Sequence, residues 1–157
     1  MKILIRLFVI SILAILHLSC HQREVYFHYV DIPDYEWKKN DTLYFSIDSL
    51  LIDTTQIYDI SFELKHNVQY PYQNLWLSVA DNLNDSIEKR SLQYLIADDF
   101  GSWKGAGFGS IYQMSLIYKK GFRFATSKNR QLKVVHKMRD GSLVGLESLG
   151  LKIMKHE

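Results

Sequence analysis

From Val25 almost to the C-terminus, apolar residues recur at every second position, and that period constrains this chain more than any other feature. Ile60, Phe62 and Leu64 alternate with Ser61, Glu63 and Lys65, and Leu75, Leu77 and Val79 alternate with Trp76 and Ser78. The same phase returns in Leu92, Tyr94 and Ile96, in Met114, Leu116 and Tyr118, in Leu132, Val134 and His136, and in Leu151 and Ile153. Successive side chains of a strand point to opposite faces, so each run reads as a strand with one buried face. Turn signals separate the runs at short intervals: Pro33-Asp34, Asp53 to Thr55, Tyr70-Pro71, Asn82 to Asp85, the glycines from 101 to 109, Lys120-Gly121, Ser127 to Asn129 and Asp140-Gly141. Parallel strands need long crossovers, for which there is no room. The expectation is therefore an all-β antiparallel β-sandwich, jelly-roll-like, with about eight strands. Only Asn82 to Arg90 offers a single helical turn.

The first twenty residues have a different character. Lys2 and Arg6 precede an apolar run from Leu7 to Leu16, interrupted by Ser11 alone, and the small residue Ser19 stands directly before Cys20. That order reads as a bacterial lipoprotein signal peptide, and the run is shorter than the roughly 20 apolar residues that span a bilayer. Cys20 is the only cysteine, so it has no intramolecular disulfide partner, and lipidation accounts for it. The domain reading is a signal peptide over 1–19, a lipidated tether over 20–24 and a β-sandwich domain over 25–157. The lipid would hold the mature protein to the membrane, in the outer membrane and facing the periplasm.

Removing the leader leaves 17 basic against 17 acidic residues, a formal charge of zero. No net basic field remains to collect nucleic acid or anionic lipid. The 20 aromatics outside the leader are more than a disordered chain carries and suit one domain with a proper core.

Catalytic patterns are missing. Gly105, Gly107 and Gly109 recur every second position, whereas a dinucleotide loop needs G-x-G-x-x-G between a strand and a helix; a strand edge or bulged turn is the expectation here. His17 leaves with the leader, His28, His66, His136 and His156 lie far apart without metal-ligand spacing, and Ser110 lacks the frame of a nucleophile elbow. The expectation is a non-enzymatic protein with no cofactor and no metal. Trp37, Tyr70, Tyr72, Trp76, Trp103 and Tyr112 fall in or beside turns or on the outward phase of a strand, where flat rings could stack on sugars or anchor a protein partner. They are the candidate binding aromatics.

Several segments resemble the GldH lipoprotein family. They are Tyr26-Phe27-His28 with Asp31-Ile32-Pro33, then Asn67 with Tyr70-Pro71-Tyr72-Gln73-Asn74-Leu75-Trp76-Leu77. The likeness continues through Leu95 to Asp98, Gly101, Trp103, Gly105, Gly107, Gly109-Ser110-Ile111-Tyr112, Met138-Arg139 and Gly150-Leu151-Lys152-Ile153. The resemblance implies an accessory of gliding motility and linked protein secretion, acting through an envelope protein partner. It assigns no catalytic residue. A glycan-binding β-sandwich lipoprotein is the alternative reading. In the bacteria to which the resemblance points, Asp followed by Ser or Thr and then an apolar residue or Thr marks envelope O-glycosylation, which makes Thr42, Ser49, Thr54 and Ser86 candidate acceptors. The same dipeptides are also ordinary turn formers.

Overall fold

The alternating runs become strands in the computed structural model, which describes residues 23–126 and 129–157. In chain order they are β1 (Glu24–Asp31), β2 (Glu36–Lys38), β3 (Leu43–Ile47), β4 (Tyr58–Asn67), β5 (Asn74–Asp81), β6 (Glu88–Leu95), β7 (Ala106–Phe108), β8 (Ile111–Phe122), β9 (Arg130–His136), β10 (Ser142–Val144) and β11 (Leu146–Lys155). Three of these, β2, β7 and β10, have only three residues each. The others form two antiparallel sheets, ordered β1-β11-β4-β8 and β3-β9-β5-β6, with β7 added outside β8. Among the eight longer strands the chain changes sheet at every step except β5 to β6. This strand order is a jelly roll, as the spacing of the runs suggests.

The inward phase is the one the sequence marks. Phe62, Leu64, Leu75, Leu77, Val79, Leu132, Val134, Leu151 and Ile153 are fully buried between the sheets. Phe45 of β3 meets Phe62 of β4 across the core at 6.3 Å between ring centroids, and Phe62 meets Tyr118 of β8 at 5.3 Å. The sheets are also stitched along both margins. The Tyr26 hydroxyl donates to the Ser46 carbonyl at 3.2 Å, joining β1 to β3, and the Tyr94 hydroxyl donates to the Ile117 carbonyl at 3.0 Å, joining β6 to β8.

Asn82 to Arg90 does not form a helical turn. The Asp81 carboxylate accepts from the Leu83 backbone at 3.1 Å, the Asn82 side chain accepts from the Gln131 backbone at 2.7 Å, and β6 has begun by Glu88. These side-chain bonds hold the backbone in a hairpin turn, where Asp85 takes a φ of 59°. The helical segments among the described residues are two short 3-10 turns, Pro33–Tyr35 and Ser49–Leu51.

The two ends of the sandwich differ. The chain enters at Arg23, whose carbonyl accepts from the Lys155 backbone at 2.8 Å and whose guanidinium pairs with Glu157. This proximal end also holds Tyr58, Gly121 and His156. β1 then runs the length of the first sheet, from Glu24 opposite Met154 to Asp31 opposite Ser148. Eight strand residues at about 3.4 Å each span about 25 Å, so the distal loops stand that far from the point of entry. The β2-β10 ribbon lies at the distal end, pairing Trp37 with Leu143.

Candidate functional site

Ring side chains converge at the distal end around His66, near the end of β4. Antiparallel register sets Tyr112 of β8 opposite His66, and the two rings stack at 5.7 Å with 17° between their planes. Trp103 comes from the loop before β7, held by a β-bridge to Ala97 and by the Lys104 backbone donating to the Ile96 carbonyl at 2.9 Å. Its ring meets His66 edge-on at 4.7 Å, while Tyr70 lies 6.1 Å from His66 and Tyr72 lies 5.7 Å from Tyr70.

The glycines make this packing possible. A Cβ on Gly107 would lie 2.7 Å from the Tyr112 ring, and one on Gly105, which has a φ of +91°, would lie 2.3 Å from the Gln113 carbonyl oxygen. Their alternate spacing therefore builds a hairpin against β8, as the sequence suggests, and leaves the ring room to lie over the β7 backbone.

Burial governs the electrostatics of this cluster. His66 is wholly buried, its Nδ1 lies 3.3 Å from the Asn67 carbonyl, and its Nε2 has no hydrogen-bond partner. Loss of solvent lowers its pKa below the ordinary 6.5, so the ring is neutral at physiological pH. The Tyr70 hydroxyl donates to the Asn74 carbonyl at 2.9 Å, and burial pushes its pKa far up. The Tyr72 hydroxyl donates to the Asp140 carboxylate, which raises its pKa.

Four of the six candidate aromatics thus share one cluster: Tyr70, Tyr72, Trp103 and Tyr112. Contrary to expectation, two of the six are buried, and Tyr72, Trp103 and Tyr112 are half-buried, which leaves Trp76 as the exposed one. Trp37 is 1% exposed, its indole N–H donates to the Asp41 carbonyl at 2.9 Å, and its ring meets His136 edge-on at 5.6 Å. Its strand is too short for alternation to reveal the inward phase. Tyr70 is buried as well, because the turn after β4 folds its ring under the distal end. Trp76 stands apart from the cluster; it is 38% exposed and points outward from β5, between the buried Leu75 and Leu77.

Trp76 belongs to a different surface, the outer face of the second sheet. Register lays that face out in rows. Trp76 pairs with Gln93 of β6 and its carbonyl accepts from the Lys137 backbone at 2.7 Å; Ser78 sits between Val135 and Ser91; Ala80 sits between Lys133 and Lys89, with Tyr44 beyond Lys133. Lys89, Lys133 and Lys137 are exposed and make no ion pair with a described residue. No carboxylate occupies an outward strand position here. The outer face of the first sheet differs, because Glu63 lies 3.6 Å from Lys152 and Lys65 sits 4.0 Å over the Tyr29 ring.

The other candidate positions are scattered. Thr42 precedes β3, and Ser49 opens a 3-10 turn whose cap is Asp48, accepting from Leu50 at 2.9 Å. Thr54 is half-buried in a turn where Asp53 accepts from the Thr55 backbone at 2.9 Å and from its hydroxyl at 2.7 Å. Ser86 is exposed at the β5-β6 turn. The Asp48 and Asp53 side chains therefore do the ordinary work of turn residues. Cys20 lies outside the described residues. Among the described residues no group of three or more His, Asp or Glu side chains is placed to hold a metal ion.

The GldH lipoprotein family model matches residues 24–153, which takes in every strand except the last residues of β11. The chain belongs to the GldH lipoprotein family. It is 30% identical to a gliding motility lipoprotein GldH homolog of Christiangramia forsetii, over 96% of this chain and 95% of that protein. It is 28% identical to the gliding motility lipoprotein GldH of Flavobacterium johnsoniae, over 90% of this chain and 87% of that one. Among solved structures it is similar to infectious bursal disease virus Gx strain (TM-score 0.36, 16% identity, 86% of this chain and 32% of that one). It is also similar to the coat protein dimer of Tobacco streak virus (TM-score 0.28, 14% identity, 88% and 89%). Membership makes this GldH-family chain a gliding motility lipoprotein of the cell envelope, associated with the membrane. No helix among the described residues is long and apolar enough to cross a membrane.

Some side chains that define these surfaces carry no motif. His66 read as an isolated histidine, although its place in the β4 alternation marks it as inward. Tyr44, Lys133 and Lys137 were open to the same phase argument. Phe100 and Phe108 are 95% and 92% exposed; Phe100 sits in a loop and Phe108 ends the three-residue β7, where periodicity is silent.

Proposed function

We propose that this GldH-family lipoprotein is a non-enzymatic docking module, held by lipid on Cys20 in the outer membrane, facing the periplasm, and serving gliding motility and the secretion linked to it. Its distal end would receive an envelope protein of that machinery. The observation that carries this reading is the polarity of the sandwich. Arg23 enters at the proximal end, whereas Phe100 and Phe108 project almost fully exposed from the glycine-rich segment at the other. Exposed aromatic side chains over a packed ring cluster are the kind of anchors that dominate protein interfaces. The ring cluster beneath holds the segment that carries them in place, which limits the entropy lost on docking.

The test is recovery of the intact lipoprotein from native membranes in mild detergent. A motility or secretion component should co-purify. Replacing Phe100 and Phe108 together by Ser should remove that component while the lipoprotein remains in the membrane fraction. Undiminished recovery with the double variant would contradict the reading. Deleting the gene in a gliding host should impair surface spreading or adhesin export.

A further inference from the structure

We infer that the outer face of the β3-β9-β5-β6 sheet binds an acidic polysaccharide. Net charge hides this surface, since a chain with no overall excess of basic residues can still segregate its charges. Lys133 and Lys89 flank Ala80 in one row, and Lys137 lies beside Trp76 in a row four residues along the strand, about 13 Å away. Nearby carboxylates do not pair with them. Asp81 is paired with Lys119 and Glu88 with Arg90 and Lys119, while Asp140, which accepts from Tyr72, keeps its charge in a hollow that Arg139 lines together with Lys137.

The rest of the face selects a sugar chain over an acidic peptide. Each row pairs a cation with a partly exposed ring, Trp76 with Lys137 and Tyr44 with Lys133, whose ammonium lies 5.7 Å from the Tyr44 ring centroid. A ring presents a flat apolar surface to the C–H face of a pyranose, while the adjacent ammonium meets an acidic substituent. Between the rows lie the exposed Ser91, the half-buried Val135 and the buried Ser78, so no long side chain stands in the way of a stiff extended chain laid along the sheet. This surface is separate from the distal Phe100 and Phe108.

The test uses the full-length lipoprotein in detergent, titrated with polygalacturonate and dextran sulfate, with neutral dextran and poly-glutamate as comparisons. The acidic polysaccharides should bind more tightly than dextran and weaken with added salt. Lys89→Gln, Lys133→Gln and Lys137→Gln combined should weaken them by about threefold to tenfold, and Trp76→Ala should weaken them further. All four positions are solvent-facing, so unchanged thermal unfolding should confirm that the variants fold. The Phe100 and Phe108 double variant should bind polysaccharide normally, which separates this inference from distal docking. Equal binding of dextran and polygalacturonate would overturn it. So would undiminished binding by the lysine variant, or poly-glutamate binding as tight and indifferent to Trp76.

Discussion

Two buried ionisable sites decide how this molecule responds to its surroundings. His66 and His136 both have pKa values lowered by burial; at His136 the charge of Lys39 adds to the effect, opposed by Asp140 and Asp41. A histidine held neutral in the fold takes up a proton more readily when unfolded. Its stabilising contribution is present above the ordinary value of 6.5 and is lost as pH falls below it. The urea midpoint should therefore drop between about pH 7.5 and pH 5.5, and His66→Phe should reduce that drop. An unchanged drop would show that His66 does not contribute. At the proximal end Lys119 is almost wholly buried, 3.1 Å from Asp81 and 4.5 Å from the Phe122 ring centroid. Asp81→Ala leaves that buried ammonium only Glu88 at 3.5 Å and takes the acceptor from the Tyr118 hydroxyl, so it should cost about 3 to 5 kcal/mol, whereas adding Lys119→Met should recover much of the loss. Chemical denaturation of both variants checks this, and equal instability of the two would contradict it.

At the scale of elements, the β7-β8 hairpin depends on Gly105, where a positive φ and the approach to Gln113 together exclude a side chain. Gly105→Ala should loosen Trp103 and Tyr112 from His66, seen as faster amide exchange in Ala106–Phe108 with exchange in β9 unchanged. Equal exchange in Ala106–Phe108 of the variant and the parent protein would contradict that dependence. The same comparison shows how much the sequence disclosed. Long strands such as β4, β5, β9 and β11 were legible because each presents several consecutive inward residues to the core. β2 and β10 were not, since three residues cannot display a period, and Trp37 was therefore assigned to the wrong side. The ring cluster was half legible. Tyr70, Tyr72, Trp103 and Tyr112 stood out as aromatics, but His66, which joins them, meets Tyr112 only through the β4-β8 register. The lysine face escaped because its three cations come from β6, β9 and the residue just after β9, and only the sheet brings them together.

For the whole molecule, the decisive property is direction. The proposed tether would sit at one end of a sandwich about 25 Å long and leave the opposite loops free to meet a partner, with the broad outer face of the second sheet open along its length. Replacing Cys20 by Ser should release the protein from the membrane or leave its leader uncleaved, and retention of a processed variant would point to attachment through partners instead. The central claim is that docking occurs at the distal end. It is tested most directly by photo-cross-linking in spreading cells, with a photoreactive amino acid placed at Phe108 or, for comparison, at the proximal His156. The account predicts a cross-link from position 108 to one envelope component of the motility or secretion machinery and none to that component from position 156. Cross-linking to it from 156 but not from 108, in cells that spread normally, would contradict the account.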